Sequence, residues 1–471
     1  MHSRPTCRKS PILTPNYLFG FLLILLFTSH GCCKSAVYKG YRLTLAVPVE
    51  YNVGFIGRAF LMETEQIVPN FKAALSVEAV NGRYACSLEV FLGDFKVWNS
   101  GHYSRFYVSE KCVLELTENG DLNLKGPKER IGWKTGTSGQ GVERLHIMRT
   151  GNLVLVDPLN LVKWQSFNFP TDVMLRGQRL NVATRLTSFP NNSTVFYSFE
   201  IQRDQIALFL HSGKWNYSYW EFKPSKNRNI SFVALAVNSL EIFNDKGKKI
   251  AQIFTQRLQS LRFLALGNKT GNLGLYYYSA NEENFQASFQ ALNATCDLPL
   301  ACKPCGICTS SNACSSIGLL TKKGETNSDC GGGFPGGCGG DQVEMLELQG
   351  VISVLRNAPK MVDISKEKCA NLCLYDCKCV AALYSSNEKE CSVYGVVMGV
   401  KQVEKGSRLS YMVKVPRGTQ RSHGKSNLKK WVLILVGVVD GLIILLVFGG
   451  LAYYFIQKRR RKLLLATNNN S

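Results

Sequence analysis

Residues 431–456 form an apolar run of 26 residues in which Asp440 is the only charged side chain. A helix rises about 1.5 Å per residue, so the run covers roughly 39 Å, more than the bilayer's hydrocarbon core of about 30 Å. Trp431, Tyr453 and Tyr454 lie near its ends, where amphipathic rings meet lipid headgroups, and basic residues occupy 458–462. The sequence therefore predicts a single transmembrane helix at 431–456.

The N-terminus predicts which side of the membrane each part occupies. Arg4, Arg8 and Lys9 precede a short apolar run at 17–28, the pattern of a secretory signal peptide. With a signal at 1–36 removed, residues 37–430 are extracellular and 457–471 form a cytoplasmic tail, as in a type I plasma-membrane protein. An uncleaved signal anchor is the alternative. A GPI anchor is disfavoured because charged residues follow the C-terminal apolar run.

The exported part carries a net positive charge. The chain has 56 basic and 34 acidic residues, of which 47 and 33 lie in residues 37–430, giving a net charge of +14 there. Outside a cell, the complementary charge is an acidic polysaccharide or an anionic membrane surface, and we expect no nucleic-acid partner. No basic block dominates residues 37–410, so a diffusely solvated surface is the simpler interpretation.

Seventeen cysteines in an exported chain predict disulfides. Loss of Cys7, Cys32 and Cys33 with the signal leaves fourteen, grouped as two, six and six, which suggests three disulfide-bonded modules. The C-x2-C-x2-C spacing from Cys302 to Cys308 also suits zinc or an iron–sulfur cluster, but an oxidising compartment favours disulfides. We therefore expect no metal and no cofactor. The fourteen are Cys86, Cys112, Cys296, Cys302, Cys305, Cys308, Cys314, Cys330, Cys338, Cys369, Cys373, Cys377, Cys379 and Cys391.

Six N-x-S/T acceptor sites fall between residues 191 and 295. On an exported segment several of them should carry sugar, so we expect this part of the surface to be shielded. The acceptors are Asn191, Asn192, Asn216, Asn229, Asn268 and Asn293.

From about residue 40 to 180, short alternating apolar runs separated by Asn-Gly, Gly-Asp and Gly-Asn turns predict β-strands. The segments 118–126, 149–157 and 269–277 repeat a Gly-Asx-Leu pattern. Trp98, Trp133 and Trp164 recur 35 and 31 residues apart. Strands that each bear one tryptophan can close around a shared axis that the indoles fill. Three unrelated core tryptophans are the alternative.

These repeats resemble the bulb-type mannose-binding lectins, in which triplicated hairpins carry one tryptophan each. The spacing of Cys86 and Cys112 matches the single disulfide of that fold. The run W-Q-S-F-N-F-P-T-D at 164–172 resembles the W-Q-S-F-D-x-P-T-D signature of plant S-domain (G-type lectin) receptors, with Asn168 in place of Asp. Val173 and Arg176 then replace the usual Thr and Pro.

The resemblance continues in the family's order along the chain. Residues 185–293 predict further strands with Trp215 and Trp220 as core anchors, and 262–279 resemble the end of the S-locus glycoprotein region. Residues 295–314 resemble its EGF-like module, to which Cys305 adds a cysteine. The glycine-rich stretch 331–340 contains G-x-G-x-x-G, but no βαβ unit frames it, so a linker is the favoured interpretation.

Residues 362–379 predict a helix capped by Ser365, with three cysteines four residues apart on one face. The pattern C-x3-C-x3-C-x-C at 369–379, followed by Cys391, resembles the PAN/apple module, in which disulfides pin a helix to a small sheet. Five cysteines cannot pair among themselves, so Cys338 is the expected sixth.

The resemblance implies a mainly β fold class. It comprises tandem bulb-lectin-like β-prism modules, a small disulfide-rich EGF-like module, an α+β PAN/apple module and one transmembrane helix. The expected boundaries are signal peptide 1–36, bulb-type lectin-like domain 37–180, S-locus glycoprotein-like domain 181–294, EGF-like module 295–330, linker 331–340, PAN/apple domain 341–415, basic juxtamembrane linker 416–430, transmembrane helix 431–456 and tail 457–471.

The sugar site of bulb-type lectins has the pattern Q-x-D-x-N-x-V-x-Y, which this chain keeps only in part. The window at 117–125 retains none of the five residues, and those at 148–156 and 268–276 retain two each. Loss of the Gln and Asp removes hydrogen bonds that desolvated sugar hydroxyls need. The candidate degenerate sugar site comprises the four retained residues, Asn152, Val154, Asn272 and Tyr276, together with Thr150, which stands where the motif has Asp.

Catalytic motifs are lacking. S-domain receptors normally carry an intracellular kinase, but the kinase Lys, H-R-D and D-F-G elements do not occur in this sequence. No G-x-S-x-G nucleophile motif occurs, and the six histidines have no metal-ligand spacing. We therefore expect that the protein is not an enzyme.

The apolar run contains a candidate contact between helices. Gly437 and Gly441 form G-x-x-x-G, which allows close helix approach, and Asp440 between them is costly in lipid unless it is paired. We expect this face to contact a partner helix, either that of a receptor kinase or that of a second copy. A protonated Asp440 in a passive anchor is the alternative.

Together these features predict a non-enzymatic cell-surface receptor-like glycoprotein. Its lectin-like and PAN ectodomain would bind an extracellular ligand or a partner receptor, and any signal would pass through a partner kinase. The alternative is a membrane-tethered, mannose-type carbohydrate-binding lectin at the cell wall.

Overall fold

The computed structural model describes residues 36–65, 67–189, 195–225, 229–255, 259–317, 319–320, 343–403, 408–417, 420–421 and 430–467. The described chain divides into two compact units, of which the first spans 36–316 and 343–417. The second comprises 317–320, 420–421 and 430–467, apart from residue 318. Residues 1–35 of the predicted signal peptide and the glycine-rich linker lie outside the described residues, as do Asn191, Asn192, Cys330 and Cys338.

The first module is built from three antiparallel sheets, because its apolar residues alternate along short strands that tight turns connect. The sheets have the orders β1-β11-β12-β13, β10-β9-β8-β2 and β3-β4-β5-β6, with β7 paired to β5. The strands are β1 (Ala36–Tyr38), β2 (Arg42–Ala46), β3 (Ile56–Glu63), β4 (Phe71–Val80), β5 (Arg83–Leu92), β6 (Phe95–Asn99), β7 (Phe106–Val108), β8 (Lys111–Leu116), β9 (Leu122–Lys125), β10 (Ile131–Lys134), β11 (Arg144–Ile147), β12 (Leu153–Val156) and β13 (Val162–Gln165).

The second module repeats this plan. Its three sheets have the orders β14-β23-β24-β25, β15-β20-β21-β22 and β16-β17-β18-β19, so its strands begin at Val173, before the predicted boundary at 180/181. The strands are β14 (Val173–Leu175), β15 (Arg179–Asn181), β16 (Arg185–Ser188), β17 (Val195–Ile201), β18 (Ile206–Ser212), β19 (Trp215–Phe222), β20 (Phe232–Leu235), β21 (Ser239–Phe243), β22 (Lys249–Phe254), β23 (Leu261–Leu266), β24 (Leu273–Ser279) and β25 (Asn284–Gln290).

The remaining elements form a cysteine-rich hairpin, an α+β module and the second unit. The α+β sheet has the order β29-β35-β32-β33-β31, and the hairpin β26–β27 joins β34 and β30 in another sheet. The elements are β26 (Gly306–Cys308), β27 (Cys314–Ser316), β28 (Leu319–Leu320), β29 (Val343–Gln349), β30 (Val351–Ser353), β31 (Lys360–Met361), β32 (Ala381–Ser385), β33 (Glu390–Tyr394), β34 (Val400–Gln402), β35 (Leu409–Pro416), β36 (Gln420–Arg421), α1 (Lys366–Tyr375) and α2 (Lys430–Thr467).

The three predicted tryptophans meet at the centre of the first module. Trp98 lies on β6, Trp133 on β10 and Trp164 on β13, so each sheet contributes one. Their ring centroids are 6.4 Å apart for Trp98–Trp133, 5.9 Å for Trp98–Trp164 and 5.8 Å for Trp133–Trp164, all edge to face. The Trp98 indole also donates to the Phe169 carbonyl at 2.9 Å. The prediction of a shared tryptophan axis is confirmed.

Disulfides hold each of the smaller modules together. Within the described residues, Cys296 pairs with Cys308 and Cys302 with Cys314 in the hairpin region, while Cys86 pairs with Cys112 in the first module. Cys302 and Cys308 each form a disulfide, so their thiols are not free to bind a metal ion. Helix α1 is joined to β33 by Cys369–Cys391 and to the following loop by Cys373–Cys379. Cys305 and Cys377 are disulfide-bonded as well.

The helix predicted at 362–379 is shorter than expected. It begins after Ser365, whose hydroxyl accepts the Lys368 amide at 3.2 Å, and it ends at Tyr375 because Asp376 has extended backbone angles. Asp363, with φ 56°, lies in the left-handed region and cannot continue a right-handed helix. Cys377 therefore follows the helix and does not share its face with the other two cysteines.

Trp215 and Trp220 are not the core anchors of the second module. Both are only partly buried, and three tyrosines, Tyr197, Tyr217 and Tyr219, fill the interior instead. Trp215 shares one face of β19 with Tyr217, but it is the first residue of the strand and is therefore less covered. Trp215 stacks on Tyr217. The Trp215 ring also lies so close to Gly395 of the α+β module that a Cβ atom at residue 395 would collide with it.

The second unit contains the apolar helix. Helix α2 spans Lys430–Thr467, and its segment Gly441–Arg460 is long and apolar enough to cross a membrane. The helix continues through the basic cluster at 458–462 instead of ending at residue 456. The short strands β28 and β36 pair within the same unit.

Candidate ligand-binding cleft

The predicted sugar residues of the first module serve the fold. The Asn152 Nδ2 donates to Gln165 Oε1 at 2.7 Å, and its Oδ1 accepts from the Ser166 hydroxyl and the Phe167 amide, each at 3.2 Å. Val154 is buried and Thr150 is exposed in a turn. These three side chains do not line a common cavity with the other predicted sugar residues.

The same use of an Asx side chain recurs at the two other Gly-Asx-Leu repeats. Asp121 Oδ1 accepts from the Thr137 amide at 3.0 Å, and Asn272 Oδ1 accepts from the Leu292 amide at 3.0 Å. In each repeat the side chain ties the turn to the backbone of a neighbouring strand. The residues that resemble a sugar site therefore also stabilise the hairpin through side-chain hydrogen bonds. Asn272 and Tyr276 also line a small cavity of about 170 Å³, and Tyr276 lines a larger one as well.

The larger cavity is a cleft of about 690 Å³ between the first and second modules. Its first side is formed by β4, β5, β6 and the loop that follows β6, and its second by β23, β24, β25 and the segment around Thr171–Val173. Pockets of this size commonly hold small ligands in folded proteins. We call this cavity the inter-module cleft.

One wall of the inter-module cleft is aromatic. Phe95 from β6 stacks on Phe263 from β23 at 4.6 Å, and Phe263 stacks on Tyr276 at 5.0 Å. Phe285 meets the edge of Phe263 at 5.0 Å. Phe263 is fully buried, whereas Phe95 is 38% exposed, so the stack joins the two modules and leaves an aromatic edge open to a ligand.

The lining also includes Glu78, Glu89 and Lys96, which form a network of four charges with Arg58 on adjacent strands. Lys96 Nζ lies 2.8 Å from Glu78 and 2.5 Å from Glu89, and Arg58 Nη2 lies 3.1 Å from Glu78. Burial by itself raises the pKa of Glu78, but Lys96 and then Arg58 outweigh it and hold that pKa below its ordinary value. Burial lowers the pKa of Lys96, and the two carboxylates more than reverse this, so that pKa is raised. Glu78 and Lys96 are therefore both held in their charged forms.

The cleft lining also includes a partly buried histidine, His102, and a partly buried aspartate, Asp172. His102 Nε2 lies 2.9 Å from the Thr187 carbonyl and 3.0 Å from its hydroxyl. Burial lowers the pKa of His102, although Asp172 opposes that shift, and burial raises the pKa of Asp172 against the opposing effect of His102. This part of the lining is therefore polar and weakly charged, and it offers hydrogen bonds.

These walls suit the binding of an amphipathic molecule. The aromatic edge would contact an apolar face, while His102, Asp172 and the charged network would meet polar groups. Because Lys96 and Arg58 hold the pKa of Glu78 below its ordinary value, this carboxylate is not poised to exchange a proton with a substrate.

Sequence reasoning did not find the inter-module cleft. Its residues come from 78–105, 171–189 and 263–285, which only the packing of two modules brings together. Each segment by itself has the pattern of an ordinary strand or turn. One local signal existed, since Phe95 and Lys96 lie three and two positions before Trp98 of the repeat.

The structure places the other predicted site residues as follows. The four acceptor asparagines within the described residues, Asn216, Asn229, Asn268 and Asn293, are exposed. Asn268 lies at the edge of the inter-module cleft, where its Oδ1 accepts from the Ser188 hydroxyl at 3.2 Å. Gly437, Asp440 and Gly441 all fall on helix α2.

Two family models match parts of this fold. The D-mannose binding lectin model matches residues 97–194, which include all three axial tryptophans, and the PAN-like domain model matches residues 345–415, which include α1 and its sheet. Both matched domains are non-catalytic.

Curated relatives come from Arabidopsis thaliana. The chain is 24% identical to the G-type lectin S-receptor-like serine/threonine-protein kinase SD2-5 over 65% of this chain and 38% of that protein. It is 24% identical to a PAN domain-containing protein over 71% of this chain and 70% of that protein. The chain spans between 35% and 43% of the length of the first S-receptor-like kinases that it matches.

Among solved structures, a monomeric mannose-binding lectin from Gastrodia elata is 20% identical over 28% of this chain and 96% of its own. The TM-score is 0.19, and we draw nothing from this likeness. The chain therefore contains a D-mannose-binding-lectin-type domain followed by a PAN-like domain, and it is similar over this region to plant G-type lectin S-receptor-like kinases and to a PAN domain-containing protein.

Proposed function

We propose that this protein is a non-enzymatic receptor-like glycoprotein of the plasma membrane with type I topology. Its extracellular unit binds a ligand or a partner receptor, and the inter-module cleft is the binding site. The observation that carries the proposal is the cleft itself, a cavity of about 690 Å³ that is lined by aromatic side chains together with charged and hydrogen-bonding groups. The relatives that are kinases suggest the route of signalling, through a partner kinase.

The predicted domain boundaries and modifications belong to this proposal. A cleaved signal at 1–36 and helix α2 as the membrane span would expose the lectin-like, EGF-like and PAN regions to an oxidising compartment, where the disulfides persist. Sugars on the exposed acceptor asparagines would shield much of the second module. A glycan on Asn268 would stand at the mouth of the cleft and narrow access to it.

The test is recovery of a bound ligand from membranes. We expect full-length tagged protein to retain a ligand, and Phe95→Ala to retain roughly tenfold less, because the variant removes the open aromatic edge of the cleft. Phe254→Ala is the matched control, since Phe254 is 59% exposed on the second module and away from the cleft lining. Mass spectrometry of what co-purifies measures the result. Equal recovery from all three proteins would refute the cleft as the site.

The rival function, a mannose-type lectin, is tested in the same preparation. Asn152 and Asn272 are already engaged by the fold, which speaks against the sugar site that the repeats suggest. We therefore expect free mannose to leave the co-purified ligand in place. Strong retention on a mannose column, with release by free mannose, would favour the rival.

The apolar helix is proposed to contact a partner helix through the face of Gly437, Asp440 and Gly441. A carboxyl group within the bilayer is costly unless it is paired, so Asp440→Leu should release a partner that depends on it. We expect at least a severalfold loss of co-purified membrane proteins, or of higher oligomers in native gels. Val447→Leu, an apolar exchange on the same helix, should retain both. An unchanged partner set in Asp440→Leu would support a passive anchor.

A further inference from the structure

A second concave surface lies on the first module and shares no lining residue with the inter-module cleft. It is a groove of about 340 Å³ formed by the loop between β2 and β3, the start of β5, and β7. Tyr51, Tyr84 and Tyr107 line it together with Arg83 and Arg130. We call it the tyrosine–arginine groove.

Both arginines of the groove are held in place without a carboxylate. The Arg83 guanidinium lies 4.0 Å from the centre of the Tyr107 ring, and Arg130 Nη2 donates to the Tyr107 carbonyl at 2.7 Å. Among the described residues, neither arginine has an acidic group within 4.0 Å. Glu129, the neighbour of Arg130, is instead engaged by Arg42 at 2.6 Å. Each guanidinium therefore keeps donors available for an incoming anion.

The groove also offers an ordered aromatic surface. Tyr51 is 41% exposed and lies 5.5 Å from Tyr84. The Tyr84 hydroxyl donates to the Glu50 carbonyl at 2.8 Å and accepts from the Asn52 amide at 2.9 Å, which holds the loop that presents Tyr51. Because rings and guanidinium groups are already positioned, a ligand would order few side chains on binding.

We propose that the tyrosine–arginine groove binds a carboxylate-bearing sugar unit of an acidic extracellular polysaccharide. The planar guanidinium forks of Arg83 and Arg130 match a carboxylate, and Tyr51 packs against the apolar face of the sugar ring. The net charge of +14 on residues 37–430 attracts a polyanion to this surface. A concave groove fits a single polymer chain, whereas a bilayer presents a flat array of headgroups.

The proposal rests on the extracellular position proposed above but not on the cleft. It is tested with purified full-length protein in a neutral detergent, so its result is independent of whether a cleft ligand is found. The probes are hexameric oligogalacturonate, the same oligomer with its carboxyl groups methyl-esterified, mannohexaose, and vesicles that contain phosphatidylserine. Titration calorimetry gives the Kd.

We expect oligogalacturonate to bind and the esterified and neutral oligomers to bind at least tenfold more weakly, since they lack the carboxylate. Raising the salt concentration should weaken binding by screening. Arg83→Gln and Arg130→Gln should each raise the Kd for oligogalacturonate roughly tenfold. Arg83→Lys, which keeps the charge and loses the fork, should raise it less.

Arg179→Gln is the matched control, because Arg179 is exposed and stacks on Phe232 at 4.8 Å in the second module. It removes the same charge and should leave the Kd unchanged. An equal loss in Arg179→Gln would show that only net charge matters and would overturn the proposal. So would equal binding of the esterified oligomer, or binding of the vesicles alone.

Discussion

Trp164→Ala is expected to lower the free energy of unfolding of the first module by about 3–5 kcal/mol, the range for removing a buried tryptophan. Trp164 is 7% exposed and contacts Trp98 and Trp133 at the axis where three sheets meet. The substitution would therefore leave a cavity that borders all three sheets. The sheets could fill this cavity only by changing the spacing between them. Urea unfolding followed by circular dichroism measures the loss.

Trp164→Phe and Trp220→Ala are the controls for this expectation. Trp164→Phe keeps an aromatic edge at the axis, so we expect roughly half of the loss. Trp220 is partly exposed in the second module, and its replacement by Ala should cost less than Trp164→Ala although the same atoms are removed. If Trp220→Ala were the more damaging change, the axis would not be the centre of stability.

Lys96→Met is expected to destabilise the protein by about 2–4 kcal/mol, less than the roughly 3–5 kcal/mol for breaking a fully buried ion pair, because Lys96 is partly exposed. The Glu89 side chain is 1% exposed and would lose its cation at 2.5 Å, leaving Arg58 at 3.7 Å as its remaining partner. The variant would also open the charged wall of the inter-module cleft.

The pH dependence of this effect follows from the directions of the pKa shifts. The pKa of Glu78 is lowered in the fold, so its contribution is present above the ordinary glutamate pKa and is lost as the pH falls through the lowered value. The pKa of Lys96 is raised, so its contribution is present below the ordinary lysine pKa and is lost as the pH rises through the raised value. The difference between wild type and Lys96→Met should be largest between these limits and shrink towards acid pH.

A neutral pair supplies the matched control for Lys96→Met. In Lys96→Met with Glu89→Gln, the buried carboxylate is replaced by an amide of the same shape, so we expect at least half of the lost stability to return. No recovery would mean that the loss comes from packing of the lysine stem and not from the charge of Glu89.

Local sequence patterns predicted several elements because their causes are local. The spacing of Trp98, Trp133 and Trp164 predicted a common axis, because a repeat of one tryptophan per hairpin is visible in the sequence itself. Ser365 predicted the start of α1, because a cap acts within its own turn. The end of the helix was missed, since the extended backbone at Asp376 is set by the loop that Cys373 and Cys379 close.

The predicted sugar residues show where pattern matching fails. Asn152 and Asn272 fit both a sugar-binding motif and a turn whose side chain hydrogen-bonds a neighbouring segment. The amino-acid sequence is the same for both roles and does not distinguish them. Only the distances to Gln165 and Leu292 distinguish the two uses.

The sequence by itself determined the mainly β class, the cysteine-rich modules and an apolar segment long enough to cross a membrane, because periodicity, composition and length are properties of contiguous stretches. Tertiary structure alone decided that Phe95 would stack on Phe263, which is 168 positions away along the chain, and that Lys96 would lie between two carboxylates. Both binding surfaces arise where separate strands and loops meet. A surface of that kind has no signature in any one segment, since its geometry depends on how independent sheets pack.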